Sequence, residues 1–272
     1  MRAWFVAFFL GVTVSSTALA GEATALKSLV TAGDSKGWEG VGRIDFGTRA
    51  FCTGALIEPD IVLTAAHCLF DPDTGERIPD DEVRFLAGWR NGRAIADRSV
   101  RKSEVHPGYI YEGPEGMDYA AEDVALLALN APIRNNSVTP FTTAKRPRKG
   151  DEVGVVSYAL NRASRPSLQE VCHVMGRPAG TLVLSCDIDF GSSGAPVFVM
   201  SEEGEPQIVS VISAKGEVRG RPVAVGTGLD SGSLLQLRTA LEAGEAGPAD
   251  GKPRIRRLTV DGAGSGAKFL RP

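Results

Sequence analysis

The sequence has no apolar segment long enough to cross a membrane, although the chain has 272 residues. The longest apolar stretch, at residues 3–14, falls short of the ~20 residues that a spanning helix needs. It follows the basic start Met1-Arg2 and precedes Ala18-Leu19-Ala20, a combination typical of an export signal. We therefore expect residues 1–20 to be a signal peptide cleaved after Ala20, with an uncleaved anchor as the alternative. The mature chain would then be exported, to the periplasm or the medium.

Cysteine is scarce, and none of the four cysteines forms a C-x-x-C pair. This absence argues against a zinc site, so we expect no bound metal. Export to an oxidising compartment favours disulfides, and the even number leaves no thiol over. Four cysteines allow three pairings. We favour the two local ones, Cys52–Cys68 and Cys172–Cys186, each of which would link residues within one half of the chain.

A strong excess of one charge is also missing, since the formal net charge is −3 at pH 7. Acidic residues prevail in the body of the chain, which therefore offers no basic surface for nucleic acid. From Lys252 onward the balance reverses, with six basic residues and one acid, Asp261. We interpret residues 245–272 as a linker followed by a basic tail and expect them to be disordered.

Helical periodicity and internal repeats are almost absent. The one convincing helix lies near the end, where Ser233-Leu-Leu-Gln236 reads as a capping box and Leu234, Leu237 and Leu241 fall on one face. Elsewhere, short β-branched runs are separated by glycine, proline and aspartate. We predict strands at residues 41–46, 51–57, 61–65, 83–87, 124–129, 152–158, 180–186, 195–199, 208–213 and 222–226. Such a series indicates an all-β sandwich or barrel, with a break between two halves around residues 132–147.

Histidine is scarce as well, because only His67, His106 and His173 are present. Any imidazole base acting near neutral pH must be one of these three. His67 ends an apolar strand in LTAAHC and adjoins Cys68, so a bond from Cys68 to Cys52 would fix its direction. His106 lies in the turn HPGY, and His173 has no recognisable partner. His67 is therefore the candidate base.

An acidic residue and a pair of serines offer partners for His67. Asp123 precedes the apolar run VALLAL, where it is either an acid at the strand edge without a functional role or a buried carboxylate that holds an imidazole in one tautomer. Glu122 and Asp118 are the alternatives. The stretch FGSSGAPVF sets two serines between two glycines. Such a turn is either an ordinary surface loop or a place where backbone N–H groups face a ligand, and composition alone does not decide.

The motifs TAAHC, DVALLAL and GSSGAP occur in this order and together resemble the signatures of the trypsin/chymotrypsin-like serine peptidases. FCTGALI and HPGY are similar to that family too, and the short loop before GSSGAP resembles its bacterial secreted branch. The resemblance covers residues 33–244. It implies an all-β fold of two packed six-stranded antiparallel β-barrels, residues 33–135 and 136–244, with a C-terminal helix. Residues 21–32 would be an N-terminal segment and a candidate pro-region.

The resemblance also implies roles for individual residues. His67 and Asp123 on the first barrel would be the general base and its orienting carboxylate, and Ser193 on the second would be the nucleophile. The backbone N–H groups of Gly191 and Ser193 would stabilise the oxyanion. The chain order excludes an α/β-hydrolase, because no histidine follows Ser193. No metal or organic cofactor is required, and the partner is a protein or peptide substrate.

Two parts of the pattern bear on activation and specificity. Ser192 stands where animal members carry an aspartate that pairs with a freed N-terminus, so that switch cannot operate here in its usual form. Asp187 stands where trypsin-like members bind Arg or Lys, which predicts a basic preference. The alternative is that Asp187 caps the loop after the disulfide. Ser213, Ala214 and Gly216 resemble the strand that walls the pocket and holds the substrate backbone.

The acidic loop at residues 71–82 lies where some relatives bind calcium, but a solvated loop is the interpretation that we favour. We predict an exported, monomeric serine endopeptidase of trypsin-like type. The competing hypotheses are a catalytically silent relative that acts in binding and a peptidase kept latent by its own ends.

Overall fold

The structure is a computed structural model that describes residues 23–47, 50–113, 116–243 and 268–270. The predicted signal peptide and nearly all of the predicted linker and tail lie outside these residues. Within the described part, no helix has the length and apolar character that crossing a membrane requires.

Strands predominate in the described residues, and α-helix is confined to one segment. The strands are β1 (Lys27–Ser28), β2 (Val41–Phe46), β3 (Phe51–Glu58), β4 (Ile61–Thr64), β5 (Val83–Ala87), β6 (Ala96–Val105), β7 (Ala125–Leu129), β8 (Thr142–Thr143), β9 (Glu152–Ser157), β10 (Ser167–Gly176), β11 (Thr181–Leu184), β12 (Pro196–Met200), β13 (Pro206–Val218), β14 (Arg221–Gly228) and β15 (Lys268–Leu270). Short 3₁₀ turns lie at Ala66–Leu69, Asp80–Glu82 and Leu160–Arg162, and the helix α1 spans Ser231–Ala243.

The first half of the chain forms a closed antiparallel barrel with the strand order β2-β3-β4-β7-β6-β5. Closure pairs the ladder groups that an open sheet would leave exposed at its edges. Fully buried side chains fill the interior, among them Ile44, Phe85 and Leu127. The disulfide Cys52–Cys68 joins β3 to the turn after β4 and matches the pairing favoured from the sequence.

The second barrel consists of β9, β10, β11, β14, β13 and β12, and it closes because β9 pairs with both β10 and β12. Val155, Leu182 and Ile212 lie in its core. The disulfide Cys172–Cys186 links β10 to the segment after β11, again as favoured. Short strands add to the outside, β1 on β10 and both β8 and β15 on β13. The predicted fold of two six-stranded antiparallel barrels with a C-terminal helix is confirmed.

An apolar cluster shared by the two barrels holds them together. Leu63 and Leu126 enter it from the first barrel, and Tyr158 and Phe198 enter it from the second, all of them buried. Burying a side chain of this size stabilises the packed form by about 1.5–3 kcal/mol. The Tyr158 hydroxyl also donates to the carbonyl of Trp89 over 2.9 Å. Apolar packing therefore fixes how the two barrels are placed against each other and where the loops between them lie.

The predicted series of strands lacks two long ones, β6 and β10. Five of the ten residues of β6, ADRSVRKSEV, are charged, and its pairing with β7 has a register shift between Val100 and Lys102, so it lacks a regular alternation of polar and apolar residues. In β10 the pairing with β9 is interrupted by a register shift, so its polar and apolar residues do not alternate regularly. Strand pairing by the barrel overrides weak local preference at both places.

The N-terminal segment and the start of the helix differ from expectation. Although it precedes the first barrel in sequence, β1 pairs with β10 of the second, and Leu29 is buried. The division of the chain and the pro-region stay predictions. The predicted capping box at Ser233-Leu-Leu-Gln236 is wrong, because α1 begins earlier and the Ser233 N–H donates to Asp230 Oδ1 over 2.8 Å. An aspartate directly before the helix offers the same acceptor.

Candidate active site

His67 lies in the first barrel, in the 3₁₀ turn that directly follows β4. The disulfide between Cys68 and Cys52 ties this turn to β3. The backbone N–H of His67 donates to Asp123 Oδ1 over 2.8 Å, and its Nδ1 lies 2.7 Å from Asp123 Oδ2. One carboxylate therefore binds both the backbone and the ring of His67, which fixes the direction of the imidazole.

Asp123 lies just before β7 and is 0% exposed. A buried carboxylate is costly unless it is hydrogen-bonded, and this one accepts bonds from both barrels. His67 supplies two of them, and the hydroxyl of Ser213 on β13 donates to Oδ2. A proton on Nδ1 shared with the carboxylate leaves Nε2 as the basic nitrogen. The sequence alternatives Glu122 and Asp118 do not take this position, which Asp123 fills.

Ser193 belongs to the second barrel, but the turn that carries it (residues 190–195, the serine turn) is bound to the first. Thr53 on β3 donates its N–H to Ser193 O and its hydroxyl to Gly191 O, each over 2.8 Å. The Gly194 N–H donates to Ile212 O of β13 over 2.7 Å. These bonds hold the serine turn between β3 and β13, and Ser193 is 3% exposed.

Two glycines allow the serine turn to pack this closely. Gly194 has a φ of +74°, and a Cβ there would overlap Thr64 Oγ1 at the end of β4. The turn therefore lies against the strand that leads into His67. Gly191 has a φ of +93°, and a Cβ there would overlap the ring of Phe51. Conformation and space both require glycine at these two positions.

Ser192, the residue where the resemblance leads one to expect an aspartate, is 0% exposed. Its hydroxyl lies 3.3 Å from both Ser157 Oγ and Tyr158 O, and it accepts the N–H of Asp189 at 3.3 Å. Arg162 in turn donates to Ser157 O and Oγ over 3.0 and 3.1 Å. The neutral hydroxyls of Ser192 and Ser157 thus stabilise the buried side of the serine turn, and the Arg162 guanidinium in turn binds Ser157.

The surroundings of Asp187 are more cationic than the sequence suggested. The carboxylate is exposed and lines a cavity of about 320 Å³ together with Lys215 and Val223. Burial lowers the pKa of Arg162, and the negative charges of Asp187 and Asp189 oppose that shift. Lys215 Nζ lies 3.9 Å from Asp189 Oδ1. Cations of the chain itself therefore lie near both acids of this loop.

The strand β13 supplies the other residues predicted to contact substrate. The hydroxyl of Ser213 is engaged by Asp123, and Ala214 is fully buried. The backbone of Gly216 lies between β14 and β15, opposite Phe269 of β15. The structure therefore places the Ser213 hydroxyl against Asp123, the carboxylate that binds His67. Gly216 lies further along the same strand.

Gln169 on β10 makes a connection that sequence reasoning missed. Its side chain is almost wholly buried, and its Nε2 donates to Thr24 O over 2.8 Å. Its Oε1 accepts the N–H of Asp187 over 2.7 Å. The glutamine thus links the N-terminal segment to the loop before the serine turn. A lone glutamine in a polar strand has no sequence signature, so no signal marked it.

The other two histidines lie in different surroundings. His106 Nε2 is 3.2 Å from Ser233 Oγ at the start of α1, and that hydroxyl donates to Asp230 Oδ2 over 2.8 Å. His173 lies on β10 opposite Glu152 of β9. Neither histidine is brought to the serine turn.

Two carboxylates of the acidic loop at residues 71–82, those of Asp71 and Asp80, accept hydrogen bonds from the chain itself. Asp71 Oδ1 accepts the N–H groups of Asp73 and Thr74 over 2.9 and 3.0 Å, and Asp80 Oδ2 accepts the N–H of Ser103 over 3.0 Å. Among the described residues, one trio of potential metal ligands comes within 4.8 Å, and two of its members form a disulfide: Cys52, His67 and Cys68.

Two antiparallel barrels, with a histidine–aspartate pair on one and a glycine-flanked serine turn on the other, define the class of double-barrel serine peptidase domains. A family model described as "Trypsin-like peptidase domain" matches residues 52–206, which is more than half of the chain. The chain belongs to this trypsin-like peptidase family, as the resemblance predicted.

Similar proteins include one from an insect and one from a bacterium. The chain is 38% identical over 132 residues to a "Modular serine protease" of Drosophila melanogaster, covering 44% of this chain and 20% of that protein. It is 30% identical over 188 residues to a "Trypsin-like protease" of Streptomyces glaucescens, covering 60% and 64%. The chain thus spans less than two thirds of the length of either relative.

A solved structure of a Glu endopeptidase in complex with MPD is similar in fold. It has a TM-score of 0.63 and 18% sequence identity, and the match covers 80% of this chain and 96% of that one. The similarity agrees with the double-barrel architecture described above.

Proposed function

We propose that this protein is an exported serine endopeptidase that hydrolyses peptide bonds through an acyl-enzyme on Ser193. The observation that carries the proposal is the buried carboxylate of Asp123, which binds the backbone N–H and Nδ1 of His67 and accepts a bond from Ser213. This arrangement holds one tautomer of the imidazole and directs its other nitrogen away from the carboxylate. Membership of the trypsin-like peptidase family supports the same reaction.

The chemistry follows from these positions. His67 Nε2 takes the proton of Ser193 Oγ as that oxygen attacks the peptide carbonyl. The imidazolium that forms is stabilised by the buried charge of Asp123 and then protonates the leaving amine. In the second half of the cycle, His67 takes a proton from the water that attacks the ester carbonyl, and returns it to Ser193 Oγ as the ester bond breaks and the carboxylic acid leaves. The packing of the serine turn against the end of β4 supports this pairing.

We assign the oxyanion donors to the backbone N–H groups of Gly191 and Ser193. Gly191 has a left-handed backbone with a φ of +93°, and turns of this shape can direct neighbouring backbone N–H groups to one point, which supports the assignment. A donor of this kind lowers the barrier by about 3 kcal/mol.

The preference for Arg or Lys through Asp187 stays a prediction, and the cations of the chain near Asp187 weaken it. Lys215 shares the cavity with Asp187, and Arg162 interacts with it electrostatically. Both cations compete with a basic substrate side chain. The roles of Ala214 and Gly216 in holding substrate backbone are part of the same proposal.

Export is supported by the two disulfides, because such bonds persist in oxidising compartments. A monomeric state, and a protein or peptide as the sole partner, stay predictions.

An organophosphonate probe tests the nucleophile. We expect wild-type protein and the matched control Ser192→Ala to be labelled, whereas Ser193→Ala is not, because only Ser193 faces the base in the proposed arrangement. Circular dichroism and thermal unfolding check that each variant is folded. Equal labelling of Ser193→Ala would assign the nucleophile elsewhere. A folded wild type that neither reacts with the probe nor degrades casein would favour the binding module instead.

A further inference from the structure

The strand β13 changes its partner beside the serine turn. On one side β14 pairs with it from Ser210 to Val218. On the other side β12 pairs with it no further than Val211, which lies opposite Pro196, the first residue of β12. Because Pro196 follows closely after Ser193, the edge of β13 that β12 leaves begins next to the serine turn. An edge of this kind presents N–H and C=O groups that can pair with another extended chain.

The segment that takes this edge is β15, from the C-terminal tail of the same chain. The pairing is antiparallel, and Lys268, Phe269 and Leu270 lie opposite Glu217, Gly216 and Lys215. In this register β15 runs toward Ser213, the residue whose hydroxyl binds Asp123. The tail segment therefore lies extended on the strand edge that leads to the His67–Asp123 pair.

A peptide substrate needs the same edge. An extended peptide adds to an exposed strand through its main-chain groups, largely independently of its side chains. The residues that precede the scissile bond must approach Ser193 in extended form, and β13 is the strand whose edge begins there. Because β15 already uses the backbone of residues 215–217, tail and substrate exclude each other.

We propose that β15 is an internal competitor that keeps the enzyme partly latent by occupying the substrate edge of β13. This inference rests on the proposed peptidase function. A tethered segment acts at an effective concentration on the order of mM, so pairing over three residues is enough to compete with substrate. Competition raises the apparent KM and leaves kcat unchanged, because saturating substrate displaces the tail.

Proline substitutions in the full-length chain test the pairing through the backbone alone. Partners in an antiparallel ladder alternate between bonded and non-bonded pairs, so Phe269→Pro and Leu270→Pro between them remove at least one ladder donor. We expect one or both to lower KM about fivefold, the factor that one lost backbone hydrogen bond produces. The matched control, Ala263→Pro, places proline upstream of β15 and should leave KM unchanged.

Amide hydrogen exchange gives a readout that does not depend on catalysis. In a Ser193→Ala background, those amides of residues 215–217 that face β15 rather than β14 should exchange faster in the proline variants than in the control. A synthetic peptide of residues 266–272, added at mM concentration, should restore protection. Unchanged exchange in both proline variants, or faster exchange with no change in KM, would overturn the proposal. If Ser193 is not labelled while exchange still responds, the nucleophile assignment fails and the tail contact stands.

Discussion

The chain brings a histidine and an aspartate near a serine in two places, and the two arrangements are not equivalent. Beside β7, Asp123 is fully buried and binds the ring of His67 directly at 2.7 Å. At the start of α1, Asp230 is exposed and binds Ser233, and His106 contacts the hydroxyl of that serine at 3.2 Å. Residue types alone therefore do not define a catalytic set.

The arrangement around Asp123 and the one around Asp230 differ in the order of their hydrogen bonds. Around α1 the serine lies between the acid and the histidine, so its proton is committed to Asp230. The backbone N–H of Ser233 is the main cause that lowers the pKa of Asp230, which identifies the carboxylate as a helix cap. Around β7 the acid holds the imidazole, so the ring is oriented and its far nitrogen can serve as a base. Burial of the acid then strengthens the interaction.

The largest expected difference comes from neutralising each acid. Asp123→Asn should lower kcat by about 10⁴-fold, because the amide no longer holds the productive tautomer of His67. The matched change Asp230→Asn should leave kcat within about twofold, since asparagine caps a helix as well as aspartate does. Steady-state assays on a peptide substrate measure both, after thermal unfolding has confirmed that the variants fold. Similar losses in the two variants would contradict the distinction.

A smaller difference is expected from the serines that donate to these acids. Ser213→Ala removes a donor from a wholly buried carboxylate and should lower the free energy of unfolding by about 1–3 kcal/mol. Ser233→Ala removes a hydroxyl bond from an exposed carboxylate and should cost about 0.5 kcal/mol or less, because water replaces the donor. Urea unfolding at neutral pH measures both values. Equal costs would mean that the burial of Asp123 has no energetic consequence.

The smallest effect concerns pH. The pKa of Asp230 is lowered from its ordinary value of 3.8, so its contribution to stability is complete above that value and is lost as the pH falls through the lower folded pKa. Asp230→Ala should therefore lower the free energy of unfolding by about 1 kcal/mol at neutral pH and by progressively less on acidification. Urea unfolding over a series of pH values follows this trend. A cost that stays constant into acid would show that the charge of Asp230 does not stabilise α1.

The parts of the candidate site that lie within short motifs could be located from the sequence, whereas their catalytic roles stay predictions. Each of three short motifs has a local physical reason for its residues: the histidine beside a cysteine, the acid before an apolar run and the serine between glycines. The double barrel was predicted from the family resemblance of these motifs. Ser213 was placed on the right strand, but its bond to Asp123 depends on how the barrels pack. The hydrogen bonds of Gln169 could not be predicted, because its partners Thr24 and Asp187 lie far away in sequence. Long-range side-chain bonds leave no periodic trace in a sequence.

Local rules also failed where tertiary pairing dominates. The strand β6 is too charged to read as part of a core, yet it lies between β5 and β7 in a closed barrel. The helix cap was misplaced because serine and aspartate are both good caps, and the sequence offers one aspartate and two serines within a single turn, residues 230–233. In the structure α1 begins at Ser231, so Asp230 takes the cap position.

Thr53 has a consequence for the integrity of the molecule as a whole. This one residue of the first barrel holds the carbonyls of both Gly191 and Ser193 in the second. Separately produced halves of the chain would each contain part of the candidate site, yet the fragment with Ser193, the proposed nucleophile, would lack the Thr53 bonds that shape its turn. Fragment complementation should therefore restore turnover only where the two pieces reassemble, and cleavage in the connection between them would be harmless so long as they stay associated.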